Sequence, residues 1–228
     1  MNEPRFFSVS EFAICVSFEN RISETISQKV FNLAEHIEKN PLAGMIEIVP
    51  AFSSLTLFYN SIIVKKSFPS FPTAFEAARV YLQNALQNLP ANEEKPARTI
   101  EIIFDASAEF ALDLKFISET KNLSKTEIIE IFTSKIYRVF MLGFLPGFAY
   151  MGETDERIAV PRKESPRLKV PKGSVGIAGK QAGIYPFDSP GGWQIIGKTE
   201  TEMFTPNEEN PTFLRAGDSV KFTAKQAK

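Results

Sequence analysis

The chain has 228 residues, 26 Lys and Arg against 27 Asp and Glu, a formal net charge of −1, and 43% hydrophobic and 12% aromatic residues. That composition supports packed cores and excludes global disorder, and the length suits two domains of roughly 100 residues each. The balanced charge gives no basic field for nucleic acid, and no apolar run approaches the roughly 20 residues of a membrane span. One cysteine, Cys15, and one histidine, His36, exclude an internal disulfide and any metal cage built from several Cys or His residues. The opening residues, Met1 to Phe12, lack a basic segment followed by an apolar stretch, so a cytoplasmic location is expected.

Phe12 to Phe18 is β-rich and reads as a strand. Ser23 to Lys39 carries Ile26, Val30, Leu33, Ala34 and Ile37 at helical spacing and reads as an amphipathic helix. Met45 to Val49 and Leu55 to Tyr59 are two short strands separated by Pro50 and a serine-containing turn. Phe71 to Leu89 repeats the helical stripe. The order β-α-β-β-α suggests a split βαβ, ferredoxin-like α+β unit. The polar stretch Leu89 to Pro96, with proline near each end, reads as a connection, and the domains are placed at 1–92 and 93–228.

Glycine marks the change between the halves. Only Gly44 of the 12 glycines precedes position 143, so the second half needs tight turns and close backbone approach that the first does not. Ile100 to Phe104 is a strand. Helical patterns follow around Leu112 to Ser118 and Ser124 to Thr133, the latter opened by a Ser124/Glu127 capping box. Tyr137 to Phe144 is a strong strand. Short β pieces at Arg157–Val160, Ser174–Ala178, Gly183–Tyr185, Gln194–Lys198 and Ser219–Thr223, punctuated by Gly and Pro, imply a barrel or sandwich.

Several segments look like a site. Gly143 to Gly152 packs Phe144, Phe148 and Tyr150 around Pro146, either as an aromatic wall for a small planar or cyclic ligand or as a plug over the barrel end. Arg162 and Arg167 each follow a proline in a stiff segment, an arrangement suited to gripping a carboxylate or phosphate, or to forming a solvated basic edge. Gly173 to Pro186 is neither a P-loop nor a dinucleotide fingerprint, but Gln181 and Tyr185 offer neutral hydrogen-bonding groups to an amide-like substrate. Trp193 follows the Gly191–Gly192 turn and suits a core anchor or a stacking platform. No GxSxG elbow is present. His36 reads as a surface residue and Cys15 as a small buried hydrophobe.

The run Tyr137-Arg138-Val139-Phe140-Met141-Leu142-Gly143-Phe144-Leu145-Pro146-Gly147-Phe148, with Pro161-Arg162, Pro166-Arg167, Gly173–Gly179, Gln181, Gly183–Pro186 and Ser189–Thr199, resembles the allophanate hydrolase subunit 1 family, also called carboxyltransferase subdomain C and D. Leu214 to Phe222 resembles the family's closing strand. The first half agrees in element order, helped by Glu47 to Pro50. The resemblance implies an N-terminal α+β domain and a C-terminal cyclophilin-like β-barrel.

For function, the resemblance implies the B subunit of an ATP-dependent 5-oxoprolinase, which opens 5-oxoproline to glutamate. Its partners would be the C subunit, similar to allophanate hydrolase subunit 2, and the A subunit of the same enzyme. ATP, with Mg, would act at the level of the complex, since phosphorylating a lactam oxygen creates a leaving group. The same resemblance admits an inhibitor that docks on a sensor histidine kinase, or a carboxyltransferase component of the allophanate hydrolase and urea carboxylase type.

Two departures stand out. In the Phe104–Leu114 stretch only Phe110, Asp113 and Leu114 keep the family pattern, and Phe132 stands where the family places a histidine before the Tyr-Arg-Val strand. Phenylalanine can neither transfer a proton nor donate a hydrogen bond. From residue chemistry, Asp113 is the candidate base or cation ligand, Arg162 and Arg167 the anion clamps, and Gln181 and Tyr185 the substrate-positioning groups.

Overall fold

In the computed structural model, which describes residues 3–89 and 98–225, the chain divides into units Met1–Pro96 and Ala97–Lys228. The expected boundary at 92/93 lies outside the described residues.

The first unit contains β1 (Arg5–Ser10), β2 (Ala13–Ser17), α1 (Glu24–Lys39), β3 (Met45–Pro50), β4 (Ser54–Tyr59), α2 (Ser61–Ser67) and α3 (Ala74–Gln87). Its sheet has the order β1-β2-β4-β3 and every pairing is antiparallel. Strict alternation on β4 buries Leu55, Leu57 and Tyr59, which share a core with Ile14 and Val16 of β2 and the α1 stripe Ile26, Val30, Leu33 and Ile37. Asn60 caps α2 by accepting from the amides of Ile62 and Ile63, and Thr73 caps α3 by accepting from that of Glu76.

The split βαβ is present, since β4 lies between β2 and β3. The ferredoxin-like expectation fails at the edge. Its closing strand should come after the second long helix and pair with the free side of β2. That side is taken by β1, an N-terminal hairpin strand, and the described residues after α3 in this unit hold no strand. The alternation of β1 is weak because Phe7 and Val9 stay exposed, so this edge strand carries little periodic signal.

The second unit contains β5 (Thr99–Phe104), α4 (Leu114–Lys121), α5 (Lys125–Ser134), β6 (Ile136–Leu142), β7 (Ala149–Gly152), β8 (Arg167–Val170), β9 (Ser174–Ala178), β10 (Gln181–Ile184), β11 (Ser189–Gly191), β12 (Gln194–Lys198) and β13 (Ser219–Ala224). Seven strands form one sheet, β12-β9-β10-β7-β6-β13-β5, and β8 with β11 makes a separate ribbon. Only β13 with β5 is parallel. The sheet nearly closes on itself: just beyond β5, Asp105 exchanges two backbone hydrogen bonds with Lys198 of β12, at 2.7 and 2.9 Å. This joins the two edges into a barrel-like wall and protects them from foreign strands.

The Ser124/Glu127 capping box opens α5 with both reciprocal hydrogen bonds formed. The expected strand at Arg157–Val160 is instead a turn. Asp155 accepts from the Arg157 backbone amide at 3.0 Å, and only Val160 bridges to a neighbour, Gly179. Phe132 of α5 is fully buried with Phe104, Tyr137 and Phe222, its ring centroid 4.8 to 5.8 Å from theirs. The Tyr137 hydroxyl donates to the Phe132 carbonyl at 3.0 Å, and burial pushes its pKa up. Phe132 is a core residue. Among the described residues no helix is long and apolar enough to cross a membrane.

Candidate functional site

The Gly143–Phe148 turn connects β6 to β7 and is tied by Gly143 N–H to Phe148 O at 3.1 Å and Phe148 N–H to Leu145 O at 3.0 Å. Phe144 takes a positive φ of 70° and stays 61% exposed, while Phe148 turns inward and is 1% exposed. Phe148 is the hub of a ring cluster: its centroid lies 4.8 Å from Tyr150, 5.3 Å from Tyr185, 5.4 Å from Trp193 and 5.5 Å from Phe144. Most of these pairs meet edge to face, the favoured geometry for aromatic quadrupoles.

These rings leave a cavity of about 260 Å³ between the Gly143–Phe148 turn and the Pro190–Trp193 turn. Phe144, Phe148, Tyr150, Arg162, Tyr185 and Trp193 all line it. Pro166, Pro190, Gly191 and Gly192 complete it, and sequence reasoning did not single these out as lining residues. Their signal was the Pro-Gly-Gly text before Trp193, legible as a turn but not as a wall. Two glycines are fixed by space. A Cβ at Gly183 would stand 2.9 Å from both the Phe148 and Trp193 rings, and one at Gly191 would overlap the Tyr185 hydroxyl. Only hydrogen fits there.

The Arg162 guanidinium lies 5.7 Å from the Trp193 ring. Burial raises the Tyr150 and Tyr185 pKa values; a backbone hydrogen bond from Trp193 opposes this at Tyr185, and the Arg162 charge opposes it at both. Both phenols are therefore neutral donors at physiological pH.

The remaining expected site residues lie elsewhere. Pro146 is on the exposed crest of its turn, and Gln181 starts β10 opposite Gly152 and Ala178, outside the cavity lining. Asp113, 4% exposed at the start of α4, has both carboxylate oxygens engaged. Oδ1 accepts from Arg167 Nη2 at 2.6 Å and Lys163 Nζ at 3.4 Å, and Oδ2 accepts from the Ile195 amide at 2.6 Å. These contacts tie Asp113 to the 161–167 strap and to β12. Arg167 pairs with Asp113 through Nη2, while its buried Nη1 has no hydrogen-bond partner, and it lies outside the cavity lining. Together with Lys163 N–H to Gly192 O at 2.7 Å and Gln194 Nε2 to Pro161 O at 3.2 Å, this network pins the 161–167 strap that carries Arg162.

Neither this cavity nor the wider groove at the barrel seam has the features of a nucleotide seat. The cavity falls below the roughly 300–1,000 Å³ of sites for drug-sized ligands. The groove measures about 930 Å³, but its lining mixes Lys125 and Lys225 with Asp105, Glu130 and apolar Ala106, Leu114, Ile129 and Ala224. Carboxylates beside the lysines oppose a triphosphate, and no glycine-rich turn opens α5. Among the described residues no three His, Cys, Asp or Glu side chains converge as metal ligands.

Residues 4–214 match the family described as carboxyltransferase domain, subdomain C and D. The chain belongs to this carboxyltransferase-domain family. Among its relatives is the B subunit of 5-oxoprolinase from Bacillus subtilis (strain 168), 43% identical over 215 residues, covering 94% of this chain and 90% of that one. The B subunit of 5-oxoprolinase from Escherichia coli O157:H7 is 33% identical over 222 residues, covering 97% and 96%. The solved structure of TTHA0988 is similar with a TM-score of 0.78 at 31% identity. That match covers 95% of this chain and 40% of the other, so this chain spans about two fifths of that longer polypeptide. The carboxyltransferase-domain assignment accounts for the near-closed barrel of the second unit.

Proposed function

We propose that this chain is the B subunit of an ATP-dependent 5-oxoprolinase that converts 5-oxoproline to glutamate, working in the cytoplasm with the C and A subunits of that enzyme. The observation that carries the reading is similarity along nearly the whole chain to proteins named as the B subunit of 5-oxoprolinase, at 43% identity in the Bacillus relative. The site geometry agrees with it. A small, ring-lined cavity with one cation suits a compact cyclic acid. Its lining holds no nucleophile–base pair, so the chain acts as one part of a shared machine. The barrel, read as cyclophilin-like, holds substrate away from water, and ATP with Mg belongs to the partner subunits or to their junction with this chain.

Co-expression with homologues of the C and A subunits, followed by measurement of glutamate released from 5-oxoproline with and without ATP, tests this reading. ATP-dependent glutamate is the expected result. No glutamate from a folded, stoichiometric complex would overturn it and direct attention to histidine-kinase docking and allophanate-type substrates.

A further inference from the structure

The 161–167 strap carries three cations whose fates differ. Lys163 and Arg167 turn onto Asp113, whose single carboxylate pairs with both. Arg162 turns to the cavity, lies over the Trp193 face, and makes no ion pair among the described residues. Among the cavity-lining residues it is the one cation, and none of the lining residues is acidic. Arg162 is exposed at the cavity mouth, so its guanidinium is free to take an anionic ligand there.

The rest of the lining specifies the other half. The Tyr150 and Tyr185 hydroxyls lie within the field of Arg162, and both remain protonated because burial disfavours phenolate. The donors open to the cavity are thus the Arg162 fork and the Tyr150 hydroxyl, matched to a single carboxylate. The open apolar wall is the exposed Phe144 ring, backed by the buried rings of Phe148 and Trp193. At about 260 Å³ the cavity has room for a five-membered ring bearing one carboxylate and one carbonyl, so size admits such an acid without selecting it.

We infer that this cavity is a recognition site for small cyclic carboxylic acids, in which Arg162 and the Tyr150 hydroxyl take the carboxylate while the ring lies against Phe144. The inference rests on the proposed function for its substrate and goes further by locating selection for the acid on this chain. Binding therefore needs neither ATP nor the partner proteins, and the carboxylate, not the lactam amide, is the determinant.

Calorimetric titration of the full chain alone with three probes tests it: 5-oxoproline, cyclopentanecarboxylate and 2-pyrrolidinone. The first has ring, carboxylate and amide, the second lacks the amide, and the third lacks the carboxylate. The two acids should bind and quench Trp193 fluorescence, with 2-pyrrolidinone at least tenfold weaker. Arg162→Gln should weaken both acids at least tenfold, and Arg162→Lys should recover part of that loss. In the reconstituted complex, Arg162→Gln should raise KM for 5-oxoproline at least tenfold with a smaller change in kcat. The inference is overturned if neither acid binds, if 2-pyrrolidinone binds as well as 5-oxoproline, or if Arg162→Gln changes neither affinity nor KM. An active complex whose KM ignores Arg162→Gln would sink this inference and leave the 5-oxoprolinase reading standing. An inactive complex whose isolated chain still binds cyclopentanecarboxylate through Arg162 would do the reverse.

Discussion

Arg167 Nη2 donates to Asp113 Oδ1 at 2.6 Å, joining residues 54 apart in sequence and holding the strap that carries Arg162 against β12. The pair is largely enclosed, with side-chain exposures of 23% and 5%. Removing one partner of such a pair costs more than the pair contributes, because the other charge stays behind. Asp113→Asn is expected to lower stability by about 3 kcal/mol, near the low end for a buried pair because Arg167 retains some solvent. Urea unfolding reads the loss. Weaker binding of 5-oxoproline by the folded variant would show that the strap has loosened; unchanged stability and affinity would contradict the anchor role.

Gly191→Ala should be costly, since the added methyl overlaps the Tyr185 hydroxyl. Overpacking of this kind destabilises by roughly 1–3 kcal/mol. Gly192→Ala is the control: its nearest neighbour would be 3.6 Å away, so its effect should stay within about 0.5 kcal/mol. Thermal unfolding of both variants, with Trp193 fluorescence as the local probe, separates a site-specific effect from a general intolerance of the turn.

Phe132 supports the barrel and touches no cavity residue in the ring contacts it makes. Phe132→Ala should cost about 3–5 kcal/mol, the usual range for a buried ring. Phe132→His, the residue the family resemblance leads one to expect, places a polar ring among Phe104, Tyr137 and Phe222 and should destabilise without raising ATP-dependent glutamate release. A gain in turnover would show that this position takes part in chemistry.

Acid stability follows from three aspartates. Hydrogen bonds from Ser107 to Asp105, from Arg157 to Asp155, and from Lys169 and Lys172 to Asp188 hold these carboxyls below the usual range. A folded pKa below the unfolded value gives stability that is present above about pH 4 and lost as pH falls through the folded values. Tm should be flat from pH 8 to 5 and drop below pH 4, and Asp155→Asn should lower Tm at pH 7 while shrinking the acid drop. In the opposite direction, Tyr150 and Tyr185 ionise only above the usual tyrosine range, so ligand affinity should not change between pH 6 and 9.

Local patterns made much of the fold readable. The α1 stripe, the alternation of β4 and the Ser124/Glu127 box each depend on neighbours a few positions away, and each formed where the spacing placed it. The edge strand β1 escaped because an exposed edge need not alternate, and its position beside β2 displaced the strand order expected of a ferredoxin-like unit. The short strands β7, β8 and β11, of three or four residues, are too brief for periodicity to mark.

Sequence by itself determined the two-part organisation in composition, the aromatic and arginine inventory of the site, and the family resemblance. Those properties belong to residue types and to short spacings along the chain. Which arginine lines the cavity was decided by tertiary structure alone. Arg162 and Arg167 have the same Pro-Arg context, yet folding brings Trp193 to the first and the buried Asp113 carboxylate to the second, so one is ion-paired and the other lies at the cavity. Partners so far away in sequence are chosen by barrel closure and register, which no local pattern encodes.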